Sequence, residues 1–297
     1  MEQQGFGRRR GERAKNFTIF ALPGFAIFLC VVIVPFFYGL YLTFTDWDGV
    51  TAQKNMVGFA NYAALFQDQQ FWTSMWLTIK YVLFSVILVN IIAFLFAYVL
   101  TSGVKGQNFF RAGFFTPNLI GGVVLGFIWE FIFSRVLVNF GSVTGLKIFK
   151  TSWLSDPTKA FWALVIVTAW QLSGYMMLIY VAGFTSLPQD VLEAAAIEGC
   201  NATQSVFRII LPLMVPSFVI CVFLTLQRCF MVYDINLSLT KGGPYNSTVL
   251  IAMHVYQKAF LSHQYGVGQA EAFILFIMVA AISGLQLYFS KKLEVES

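Results

Sequence analysis

Residues 193–212 read EAAAIEGCNATQSVFRIILP, a largely water-compatible insert between two strongly apolar stretches. Upstream, Ser186-Leu187-Pro188-Gln189 places serine three residues before glutamine, with proline where a first helical turn accepts it, and this predicts a helix start. That helix should run over about 188–198 and stop at Gly199, the residue type that adopts the left-handed conformation of a helix end without penalty. Asn201-Ala202-Thr203-Gln204 repeats the start signal, so a second short helix should reach about 210, before Pro212. The insert therefore reads as a short helix-turn-helix (188–211) lying outside the hydrocarbon of a membrane.

The flanks establish that membrane. The chain has 297 residues, of which 58% are hydrophobic and 11% charged, and its mean hydropathy is +0.72; soluble domains are about a quarter charged. A hydrocarbon layer of about 30 Å takes roughly 20 apolar residues per helix. Six stretches reach that length, at about 17–44, 74–101, 114–135, 160–185, 213–236 and 268–290. The expected architecture is all-α and polytopic: a basic tail over 1–16, then a six-helix membrane domain over 17–292 interrupted by the insert. Pro23 and Pro35 in the first stretch free backbone carbonyls that neighbouring helices must satisfy, which argues for a bundle.

A net charge of +5 records orientation on such a chain rather than affinity for nucleic acid. Ten basic residues fall in segments that are inside if the N terminus is inside, against six in the outside segments. Most of the bias comes from Arg8, Arg9, Arg10, Arg13 and Lys15, so both termini are expected to be cytoplasmic. Segment 103–113 is then a cytoplasmic connector, and the loops around Trp47, Trp153 and Gly242-Gly243-Pro244 are outside. Cys30, Cys200, Cys221 and Cys229 form no CxxC pair, and neither a disulfide framework nor a metal site follows from them. The first stretch is too long for a cleaved signal peptide and reads as a retained anchor.

The spacing Glu193-Ala194-Ala195, three residues, Gly199, nine residues, Ile209, one residue, Leu211-Pro212 resembles the EAA loop of permease subunits in binding-protein-dependent ABC importers. The likeness extends over about 17–292. It includes Leu22-Pro23, Thr43-Phe44-Thr45-Asp46-Trp47, Gly58-Phe59-Ala60-Asn61-Tyr62, Trp153-Leu154-Ser155-Asp156-Pro157 and Gly242-Gly243-Pro244-Tyr245-Asn246-Ser247-Thr248. These segments are similar to the first of two permeases in carbohydrate importers of the maltose and multiple-sugar type. Cys200, where alanine is usual, and Arg228, where a small residue is commoner, depart from that pattern.

The resemblance implies a type I ABC importer permease fold, and a chain that helps translocate a sugar or oligosaccharide across the bacterial plasma membrane without covalent chemistry of its own. A second homologous permease, two ATPase copies carrying ATP and Mg, and an extracytoplasmic solute-binding protein are the implied partners. The chain itself lacks a GxxxxGK[ST] phosphate loop. No cofactor is therefore expected on it. Glu193, Ala194, Ala195, Glu198 and Gly199 are the expected ATPase-coupling residues. The plain alternative is an interfacial amphipathic helix pair, alanine being a strong helix former.

Polar residues inside the apolar stretches are costly and face a cavity or one another. Thr168, Gln171 and Tyr175 recur at three and four residues, on one helical face, and fall where related permeases carry sugar contacts. Gln227, Arg228, Tyr233 and Asp234 are the parallel set in the fifth stretch. For each the competing reading is interhelical hydrogen bonding, with an Arg228–Asp234 pair as part of that alternative. Asn90, Asn118, Glu130 and Arg135 rank below these as packing contacts, and His254 and His263 read as loop histidines without a ligand role. The alternative function is an ion-coupled secondary transporter or channel using Arg228, Asp234 and Glu271.

Overall fold

The computed structural model describes residues 17–291; the basic tail over 1–16 and the residues after 291 lie outside the described part. Among the described residues the regular structure is helical, apart from one isolated bridge between Thr45 and Met56. Five helices are long and apolar enough to cross a bilayer, six if a pair bent by 70° counts as one span. The chain divides into two compact units, one formed by residues up to Gln67 with Gln257–Phe273, the other by Asp68–Tyr256 with the residues from Ile274.

The first unit contains α1 (Phe17–Leu42) and α2 (Ala60–Gln67). Pro35 stands just after a π-turn over Leu29–Ile33 within α1, where the backbone accommodates the proline's missing N–H. The motif segments that follow are mutually bonded. Asn61 Nδ2 donates to the carbonyls of Thr43 and Thr45, each at 2.8 Å, and Tyr62 OH donates to Thr43 Oγ1 at 2.9 Å. The Trp47 ring packs on Tyr265 at 4.8 Å, and Lys54 lies over Trp47 at 4.5 Å. Asp46 accepts from the side chain and backbone N–H of Asn55, which lowers its carboxyl below the ordinary carboxylate value. Asp48 is lowered likewise by the backbone N–H groups of Thr51 and Val50 and by the Thr51 hydroxyl.

The second unit is organised around two long helices, α3 (Gln69–Thr101) and α6 (Pro157–Thr185). Asp68 caps α3 by accepting from the N–H groups of Gln70 and Phe71. The Trp-Leu-Ser-Asp-Pro motif has the same purpose for α6: Asp156 accepts from Lys159 N at 2.9 Å, and Pro157 occupies the first turn, where no N–H is needed. Trp153 stacks against Phe133 at 5.4 Å, fixing the approach to that cap. Ala93, Ala97, Val89 and Tyr81 of α3 and Ala163, Val167, Met176 and Tyr180 of α6 are fully buried in one core. In lipid there is no hydrophobic gain between helices, so close packing through small residues and interhelical hydrogen bonds must hold them. Tyr180 OH donates to Asn90 Oδ1 at 2.7 Å, and Tyr81 OH and Thr168 Oγ1 share a hydrogen bond of 2.5 Å.

Three expectations change. The third apolar rod is α5, Gly122–Thr144, rather than 114–135; residues Gln107–Leu119 form a separate helix, α4, in place of most of the connector. The break falls at Ile120 and Gly121, both extended, just after Pro117. Gly174 of α6 explains the separation, since a Cβ there would lie 1.8 Å from the Phe114 carbonyl oxygen, so α4 lies directly on α6. In the fifth stretch the straight helix is α9 (Val215–Phe230), shorter than 213–236. It meets α8 (Thr203–Leu213) at the 70° bend, with Pro216 in the first turn of α9, a residue that starts a helix but cannot continue one from the preceding segment. His254 is also no loop residue: it is buried in α10 (Ile251–Tyr256), its ring 6.3 Å from Phe71. The last span is α11 (Tyr265–Lys291).

Candidate functional sites: the coupling insert and the polar helix break

The insert opens with α7, Gln189–Ile197. Ser186 does not cap it. Its N–H and hydroxyl both donate to the Ala182 carbonyl, closing α6 instead, while Gln189 Nε2 donates to Glu193 Oε1 at 2.7 Å along the exposed face. The C-terminal end is a Schellman closure: Gly199 has φ +81° and Cys200 N–H donates to the Ala195 carbonyl at 3.0 Å. A Cβ on Gly199 would meet nothing within 4 Å. The glycine is therefore required by backbone conformation, not by space. The second start is a reciprocal capping box, with Gln204 N–H donating to Asn201 Oδ1 at 2.8 Å and Asn201 N–H to Gln204 Oε1 at 3.0 Å.

One side of the insert is packed and the other is open. Ala195 and Ile210 are buried, and Leu187, Leu192 and Val206 pack on the main core. Glu193, Ala194, Glu198 and Gly199 are exposed, and so is Ile197, at 86%. Ile197 is absent from the motif reading, yet it lies four residues from Glu193, on the neighbouring surface one turn on. The mount is stiff as well, because a Cβ on Gly183 of α6 would come within 2.2 Å of Ser217 Oγ near the start of α9. The helices that carry the insert are thus in backbone-close contact at its base.

The second site is the break between α4 and α5. Ile120 and Gly121 leave the helix, so backbone groups there need partners from neighbouring helices. Gln171, midway along α6, donates Nε2 to the Ile120 carbonyl at 3.3 Å. Arg228, in the last turn of α9, donates Nη1 to Asn118 Oδ1 at 2.8 Å, and its guanidinium carbon lies 4.8 Å from the Tyr175 ring centroid. Asp234 is exposed and set against Gly122, where an added Cβ would come within 2.7 Å of the Asp234 Cβ. Ser238 Oγ donates to the Asp234 carbonyl at 2.7 Å, closing the chain around the break.

The structure thus gathers Gln171, Tyr175, Arg228 and Asp234 around one interruption. It adds Asn118, which ranked lower in sequence, and the Ile120 carbonyl, which side-chain reasoning overlooks. The Pro117 to Gly122 run is the signal that could have marked the break. Arg228 is bonded to Asn118 and not to Asp234. Thr168 stands apart, buried with its hydroxyl engaged by Tyr81. Tyr233 packs its ring on Tyr256 at 5.0 Å, and Gln227 is half-buried.

The family described as "Binding-protein-dependent transport system inner membrane component" matches residues 90–295, more than half the chain. The chain belongs to that family. Among curated relatives it is 40% identical to the probable starch degradation products transport system permease protein AmyD of Thermoanaerobacterium thermosulfurigenes, over 94% of this chain and 95% of the relative. It is 34% identical to the multiple sugar-binding transport system permease protein MsmF of Streptococcus mutans, over 88% and 90%. Among solved structures, a chain from a bacterial ABC transporter involved in import of the acidic polysaccharide alginate superposes with a TM-score of 0.82, covering 96% of this chain and 99% of that one. At 19% identity that likeness establishes the type I importer permease fold. This permease is accordingly a multi-pass membrane subunit of an importer. Within it, the insert and the helix break are the two candidate sites.

Proposed function

We propose that this permease is one half of a heterodimeric pathway for a sugar or oligosaccharide, opened and closed by ATPase subunits that grip the Glu193–Gly199 segment. The observation that carries the coupling role is the rigidity of α7. It is ended by a Schellman bond, followed by a reciprocal capping box, and rooted where α6 and α9 cross closely. A stroke delivered to such an element moves the span helices; a flexible loop would absorb it. Glu193 and Glu198 offer carboxylates for charge-assisted contacts, and Ile197 offers the apolar anchor. ATP and Mg belong to the partner ATPases, two copies of which pair with this chain and a second homologous permease.

The sugar reading draws on the named relatives and on the residues around the helix break. Gln171, Tyr175, Asn118 and Arg228 present amides, an aromatic ring and a cation at a depth near the middle of α6. These groups suit a hydroxyl-rich cargo handed over by an extracytoplasmic binding protein. Both termini are assigned to the cytoplasm of the plasma membrane, on the same side as the insert. In transport, ATP-driven closure of the ATPase pair displaces α7 and opens the path outward; ATP hydrolysis resets it. Uptake into proteoliposomes containing the whole assembly tests the reading. Vanadate should abolish it, an ATPase should co-purify, and Glu193→Lys should uncouple hydrolysis from uptake. Vanadate-insensitive uptake that follows an ion gradient would favour the secondary-transporter alternative instead.

A further inference from the structure

Arg228 is a cation about 20 Å along α9 from its first residue, at 1.5 Å per residue. It stands beside Tyr175, which is ten residues, about 15 Å, from the C-terminal end of α6. A full charge at such a depth is costly unless it is paired or faces water. Its contacts are Asn118 and the face of Tyr175, both neutral. Among the described residues no carboxylate pairs with it, and the side chain is exposed. The last-turn position is favourable toward the C-terminal dipole of α9, but only weakly. That is too little to explain an unpaired charge set beside Tyr175 of a span helix.

The neutral contacts orient the guanidinium without neutralising it. Asn118 takes one N–H of five, the guanidinium lies over the Tyr175 ring, and the side chain is exposed, so donors remain available to a ligand. A planar fork held in this way matches a carboxylate in bidentate geometry. Gln171 stands one helical turn before Tyr175, its amide already positioned by the Ile120 carbonyl. We propose that Arg228 recognises a carboxylate on the carbohydrate cargo, so that the pathway is selective for acidic, uronate-bearing oligosaccharides. This rests on the sugar-path reading and narrows its substrate class.

The complete importer with its binding protein, in proteoliposomes, would be given labelled digalacturonate and labelled maltose. The readout is the ratio of acidic to neutral uptake, with equilibrium binding of digalacturonate to the purified complex as a second measurement. Arg228→Gln should lower the ratio about tenfold or more, the factor set by losing a hydrogen bond to a charged group. Arg228→Lys should retain part of it, and Asn118→Ala, which releases the fork, should lower it by less. Binding of digalacturonate should weaken in the same order and with added salt.

Maltose uptake without digalacturonate uptake in the unaltered importer would overturn the proposal while leaving the sugar pathway standing. An unchanged ratio in Arg228→Gln would do the same. Uptake of neither sugar by an assembly with active ATPase would overturn both. If Arg228→Gln fails to assemble, the ratio in Arg228→Lys and Asn118→Ala decides, and no change in either refutes the carboxylate contact.

Discussion

Replacing Gly199 tests the rigid-insert reasoning, because the cost can be worked from local geometry alone. Its φ of +81° costs a residue with a Cβ roughly 1–2 kcal/mol, and β-branching in Gly199→Val adds to that. No neighbouring atom stands within 4 Å of the position a Cβ would take, so no packing loss accompanies the strain. The variant should therefore assemble, with only the Cys200 to Ala195 closure weakened. A shift of 1–2 kcal/mol changes the population of the closed helix end about 5–30-fold, and ATP-driven uptake should fall by a comparable factor while ATPase activity persists. Gly199→Asn is the control, since asparagine tolerates the left-handed region, and it should retain most uptake. Measurement in proteoliposomes with quantified assembly decides. Full uptake by Gly199→Val would refute the mechanical role, and an equal loss in Gly199→Asn would refute the conformational explanation.

Gln171→Ala removes the donor to the Ile120 carbonyl and should alter uptake kinetics while the assembled complex is still recovered by size-exclusion chromatography; unchanged kinetics would remove it from the path. Thr168→Val should instead leave uptake kinetics alone and lower thermal stability by about 0.6 kcal/mol, the average for an interhelical bond in lipid, as read by a melting assay. Asp156→Ala should cost about 0.5–2 kcal/mol through loss of the α6 cap, and Asp156→Asn should recover most of it. Asp46 and Asp48 both have lowered carboxyls, so their contribution is fully present above the unfolded value near 3.8 and is lost as pH falls through the lower folded values. Proteolysis of the 46–55 loop by an acid-active protease should accordingly begin only below about pH 3.8; opening already at pH 5 would contradict the bonding described.

Much of the insert was legible because its determinants are local. A left-handed glycine at 199 and the Asn201 to Gln204 box each involve residues within a turn of one another, and the structure realises both. Ser186 failed as a cap for the same reason read backwards: the preceding helix was still running and claimed its N–H and hydroxyl. Asn118 ranked low because its bond to Arg228 crosses 110 positions of sequence, and spacing carries no information at that separation. Thr168, Gln171 and Tyr175 share a helical face, yet that face meets different neighbours along its length, so one hydroxyl joins α3 while the other two groups reach the break.

Hydropathy and local start and stop signals determined, without coordinates, that this chain is a multi-span helical membrane protein with a stiff helical insert, because apolar length and capping depend on neighbours along the chain. Tertiary structure decided where the third rod begins, how sharply the fifth bends and which polar groups meet. Those outcomes depend on Gly174 admitting α4, on Pro216 opening a new helix at the bend, and on an arginine finding an asparagine from another helix. The first and the last are contacts between distant segments, whose energy is defined only once the helices are packed.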